Sequence, residues 1–211
     1  MADDKAASLE RFERIKQLNL WVGALQETLP LDDVIQAVKA RRRGADQDDS
    51  YSLALQLEAL LIAADRETEA DRLIDEMLDR FPEDVRFAIS KATLHHYFMD
   101  DQEGALNAID MALERAQRTG FFRREALGVK ARILLRLGRG DELTQTLDEI
   151  MALEMKPGIP DIGRERDFVD RAPPGMISED VLARYNLFRP KRVSDDDGRS
   201  DVDEPPEWDI E

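Results

Sequence analysis

The chain has 211 residues, with 46 Asp and Glu against 30 Lys and Arg, two His and no Cys. A net charge of −16 leaves no broad basic face for a phosphate backbone, so nucleic acid is an unfavourable ligand. The missing thiols exclude disulfides, zinc–thiolate sites and a cysteine nucleophile.

Gly and Pro are scarce, at 11 and 9, and aromatic residues are few, a composition that favours helix over sheet. An all-α protein is expected. The opening residues, MADDKAASLERFERIKQ, are polar and acidic where a secretory leader needs a positive start and an apolar stretch. No run of 18 apolar residues follows. The reading is a soluble, cytoplasmic chain.

Between residues 9 and 155 apolar residues recur every three to four positions, in segments broken by turn-forming clusters, which predicts paired helices joined by tight turns. The first hairpin covers about 9–43 and ends in Arg41, Arg42 and Arg43, cations that complement a helix C-terminus, before Gly44. The second covers 51–82 and stops at Pro82; the third and fourth cover 86–118 and 122–154. Residues 156–188 hold Pro157, Pro160, Pro173 and Pro174, too many for one helix. A short capping helix follows, with Ser178 as its cap and Val181, Leu182 and Tyr185 on one stripe. Residues 189–211 form a disordered acidic tail, whose last seventeen carry nine acids and one base.

The four hairpins share a register. Counted from Ile15, Tyr51, Arg86 and Arg124, starts that lie 36, 35 and 38 residues apart, position 20 holds Val34, Ala70, Ala105 and Leu143. Position 24 holds Val38, Ile74, Ile109 and Leu147. Position 28 holds Leu78, Leu113 and Met151, but Arg42 in the first hairpin.

With Leu61, Ala70 and Ile74 as large, small and large packing residues and Pro82 after the second helix, residues 51–84 resemble a tetratricopeptide repeat, a helix–turn–helix unit of about 34 residues. The resemblance extends over about two thirds of the chain and implies a right-handed superhelix of about four hairpins. Glu58, Lys130, Arg41 and Arg42 depart from the pattern, and the first hairpin reads as a cap. The resemblance further implies that a partner peptide or helix lies along the first helices, against Gln56, Ala59, Lys91, Leu94, Tyr97, Phe98, Val129, Arg132 and Arg136. The set of Lys and Asn residues with which some members clamp a peptide carboxylate is not reproduced.

His95 and His96 align with packing positions, His96 with Leu25, Leu61 and Leu134, so both are expected to fill space. Adjacent helical residues point about 100° apart and cannot chelate one metal together. No motif sets a nucleophile or buried carboxylate beside them. The paired acids Asp32-Asp33, Asp48-Asp49 and Asp100-Asp101 read as caps or solvated charge. No catalytic residue, metal or cofactor is assigned. In the tail, Trp208 and Ile210 form a candidate docking motif within PPEWDI. The functional expectation is a non-catalytic adaptor, chaperone or assembly factor that binds another protein. The alternatives are an accessory subunit of a larger complex, using its convex face and tail, and an enzyme working at His95-His96.

Overall fold

The protein is described here from a computed structural model, which covers residues 2–154 and 166–188. Ten helices form among these residues and no strand does. In chain order they are α1 (Ala2–Thr28), α2 (Leu31–Arg43), α3 (Gln47–Ala63), α4 (Glu67–Arg80) and α5 (Val85–Tyr97), then α6 (Gln102–Thr119), α7 (Arg123–Leu137), α8 (Gly140–Glu154), α9 (Arg166–Arg171) and α10 (Glu179–Phe188). From α1 to α8 each helix packs antiparallel on the next, and α10 packs on α8.

Local chemistry sets the helix ends. Asp46 accepts from the Asp49 N–H at the start of α3, Asp84 from Arg86 and Phe87 at α5, and Asp101 from Gly104 at α6. The caps are therefore Asp46, Asp84 and Asp101, while Asp48 and Asp49 lie inside the first turn of α3. Gly120 and Gly138 end α6 and α7 in the left-handed region, where a Cβ is strained. The Ser178 hydroxyl accepts from the Val181 N–H at the start of α10.

The shared register appears as a buried seam. Val34, Ala70, Ala105 and Leu143 are fully buried, as are Val38, Ile74, Ile109 and Leu147. Each large member of that set contributes about 1.5–3 kcal/mol of burial. The core has two parts that meet at α5, which sends Phe87 and Leu94 to the α1–α4 side and Val85, Ala88 and Ala92 to the α6–α10 side. A helix buried on both sides cannot show a clean amphipathic stripe. At the far end α10 packs on α8, Ile177, Val181 and Tyr185 join the same buried cluster as Leu143 and Leu147, and Arg184 pairs with Asp148 of α8.

Polar contacts repeat at nearly the same spacing as the apolar register. Gln56 reaches back to Asn19, Tyr51 reaches forward to Asp84, Arg136 back to Asp100 and Arg184 back to Asp148, separations of 37, 33, 36 and 36 residues. Tyr51 is the most connected of these. Its ring meets Phe81 and Phe87 edge-on, its hydroxyl donates to Asp84 at 2.6 Å, and burial together with that carboxylate pushes its pKa up.

Arg42, out of pattern in the sequence, occupies its packing slot as an arginine. It lies largely buried, bonded to Glu76 of α4 and to Met77 Sδ. Arg41 stacks on Trp21, 4.5 Å from the ring centroid. Neither is a simple helix-end charge. Lys130, the other departure, pairs with Asp110 at 2.7 Å, and Glu58 is mostly buried, its carboxyl pushed up by burial and partly offset by a hydrogen bond from Ser90.

Candidate functional site

The polar side chains singled out in the sequence converge on α5. Its Lys91 and His95 stand one turn apart and face Asp75 and Asp71, one turn apart on α4. The hairpin turn sets the register: Asp71 and His95 both lie 12 residues from Glu83, and Asp75 and Lys91 both lie 8. Lys91 Nζ is 2.5 Å from Asp75 and 3.1 Å from Asp71. His95 Nε2 is 3.0 Å from Asp71, and its Nδ1 is 2.9 Å from Asp101, the cap of α6. Burial would raise the Asp71 carboxyl, but hydrogen bonds from His95 and Lys91 outweigh it and hold it below its ordinary range. Asp101 is held low by the Gly104 N–H and by His95.

This overturns the reading of His95 as filler. The sequence shows no carboxylate beside either histidine, yet the fold supplies two, and His95 clamps α4 and α5 to the start of α6. A neutral imidazole has one N–H and can serve one of those carboxylates, whereas the imidazolium serves both. Both nitrogens are committed to contacts that tie helices together, so neither is placed to move a proton to a substrate without breaking one. Gly104 makes room for the clamp, because a Cβ there would stand 2.7 Å from His95 Nδ1 and closer still to the Asp101 carboxylate.

His96 behaves as the register expects and is buried. Its Nδ1 is 2.6 Å from the Gln102 side-chain carbonyl oxygen, and its ring meets Tyr97 edge-on at 4.3 Å. Burial pushes its pKa down, Gln102 partly offsets this, and Arg136 and Arg132 add to the lowering. Among the described residues no group of three or more Asp, Glu or His is arranged to hold a metal ion.

The residues expected along the partner face separate into two groups. Leu94 is fully buried and belongs to the core, which corrects its reading as a contact residue: it faces α1–α4, not solvent. Gln56 is tied to Asn19, and Val129 packs partly buried against the second half of the core. Lys91 is neutralised by two carboxylates, and Arg136 is 2.8 Å from Asp100. Arg132 is half-buried near His96, and Ala59 is exposed. The expected basic stripe is therefore largely paired. What stands open is aromatic: Tyr97 and Phe98 are 52% and 49% exposed, with Met99 beside them at 37%. The Arg136–Asp100 pair borders this patch. Met99 is not among the positions the repeat resemblance assigns to the partner face, and it joins the patch only because the chain turns out of α5 after Tyr97. Trp208 and Ile210 lie outside the described residues.

No family model, curated protein or solved structure matches this chain. No described helix is long and apolar enough to cross a membrane.

Proposed function

We propose that this chain is a non-catalytic adaptor, chaperone or assembly factor, built as a right-handed superhelix of tetratricopeptide-like hairpins, that holds a peptide or helix of another protein. The observation that carries this reading is the exposed Tyr97-Phe98-Met99 cluster at the end of α5. Aromatic and Met side chains are enriched at the buried centres of interfaces, and a polar pair such as Arg136–Asp100 suits the rim. The partner would seat an apolar side chain over Tyr97 and Phe98, with Ala59, Val129 and Arg132 further along the same set of first helices.

The test is capture from an extract of the source cells with the tagged full-length chain, wild type against Tyr97→Ser/Phe98→Ser. Partners retained by the wild type and lost by the variant, at equal helix content, support the reading. A partner set that does not change removes the patch from consideration. A second reading, the accessory subunit, is favoured by a different surface. Leu9, Phe12 and Leu20 are exposed along α1 at the end of the helix array, where a larger assembly could cover them.

A further inference from the structure

The two ends of the helix array are finished differently. At one end α10 packs on α8, whereas among the described residues no helix covers the outer face of α1 at the other. Leu18 and Val22 of α1 turn into the core. On the opposite side Phe12 and Leu20 are 61% and 59% exposed and border a shallow, open groove of about 590 Å³ with Lys16, Gly23, Ala24 and Glu27. These residues recur every three or four positions, so they form one stripe about 22 Å long.

Gly23 has no explanation within a single chain. Glycine weakens a helix interior relative to alanine, yet a Cβ at this position would meet nothing within 4 Å. The notch it leaves beside the protruding Leu20 suits the close approach of another helix. The stripe is also complementary to itself. If two copies of α1 lie antiparallel with Leu20 of each level with Gly23 of the other, Lys16 comes level with Glu27 of the second copy, because both pairs straddle the same midpoint between Trp21 and Val22. Phe12 then reaches the second copy's α1–α2 turn, where Leu29 is also exposed. Glu27 has no ion-pair partner among the described residues, and Lys16 has only the exposed Glu13 at 3.7 Å. Residues 9–28 carry three acids and three bases, so this face lacks the repulsion that a net charge of −16 sets between other faces.

We infer that the outer face of α1 is a homodimer interface, in which two copies pair antiparallel with Leu20 in the Gly23 notch and Lys16 on Glu27 of the other copy. Each contact then occurs twice about a two-fold axis. One helix pair of this length is small among specific interfaces, so dissociation in roughly the micromolar range is expected. The inference names a second copy as the cover for the face on which the accessory-subunit reading rests, and it is independent of the Tyr97-Phe98-Met99 patch.

Sedimentation equilibrium of the full-length chain between about 1 and 200 µM, a range that brackets such an affinity, should show a monomer–dimer equilibrium. Gly23→Leu fills the notch and should weaken dimerisation roughly tenfold or more, while raising the melting temperature of the dilute monomer because leucine favours helix. Lys16→Glu should weaken it roughly fivefold, since the exposed pair is broken twice, and Lys16→Glu/Glu27→Lys should restore it. A chain that stays monomeric throughout the range would overturn the inference and leave the α1 face to a different protein. A dimer that Gly23→Leu leaves unchanged, or that the charge swap does not restore, would also overturn it by placing the contact elsewhere. So would a dimer lost in Tyr97→Ser/Phe98→Ser. Loss of captured partners from that last variant, with its dimerisation intact, bears on the aromatic patch alone.

Discussion

His95 Nε2 lies 3.0 Å from Asp71 Oδ1, across the α4–α5 hairpin and 24 residues apart in the chain. This contact makes the α5 histidine a tie between three helices. A double-mutant cycle with Asp71→Ala and His95→Ala, measured by urea unfolding at pH 7, should give a coupling of about 0.5–2 kcal/mol. Simple additivity would sink the clamp. The acid side follows from the sign: the Asp71 and Asp101 carboxyls are held below their unfolded value. Their contribution is complete above about pH 4 and is lost as pH falls through the lower folded values.

Gly104→Ala separates intrinsic propensity from the clamp. Alanine at a helical position is better than glycine by about 1 kcal/mol. A Cβ here, however, meets the Asp101 carboxylate and His95 Nδ1, so one of them must move. The expected result is net destabilisation in a wild-type background and a smaller loss, or a gain, in His95→Ala. Equal effects in both backgrounds would show that His95 is not involved.

His96 gives a pH signature of its own. Its folded pKa lies below the unfolded value near 6.5, so the neutral form's contribution is complete above about pH 6.5 and is lost as pH falls towards the folded pKa. His96→Leu replaces it with the residue type at the same slot in three other hairpins. Stability at pH 7.5 should change by no more than about 1 kcal/mol, the scale of the Gln102 hydrogen bond that is lost. Between pH 6.5 and 5 the variant should lose less than the wild type. Parallel pH curves for the two proteins would contradict the assignment.

Glu58 works in the opposite direction. Burial raises its carboxyl pKa, so the ionised form opposes folding: stability is full below the unfolded pKa near 4.3 and is lost as pH rises through the folded value. Glu58→Gln should raise the urea midpoint at pH 7 and leave it nearly unchanged at pH 4. A midpoint lowered at pH 7 would mean that the ionised group makes a stabilising contact.

Leu94 and Phe98, four residues apart on the sequence-predicted face, should respond differently to a charge. Leu94→Asp places a carboxylate in a fully buried site and should cost about 3–5 kcal/mol or prevent folding. Phe98→Asp acts on a half-exposed ring and should leave the circular dichroism spectrum and melting temperature nearly unchanged. Similar unfolding by both would place Phe98 in the core.

Helix content, hairpin spacing and the small and large residues of the buried seam were legible in the sequence, because an apolar register near 35 residues is a local property of a stacked chain. Val38, Ile74, Ile109 and Leu147 could be aligned by counting, and all four are buried. The partners of charged residues could not be read the same way. Lys91, Arg136 and Arg42 look like surface charge when their own helix is considered alone. Each is neutralised by a carboxylate 16, 36 or 34 residues away on another helix. Leu94 and Phe98 share one helical face in projection, and only the packing of α5 between two halves of the core buries the first and leaves the second open. Apolar burial needs no particular partner and so follows from composition and period, whereas an ion pair needs two specific atoms within about 4 Å, a distance only the tertiary fold sets.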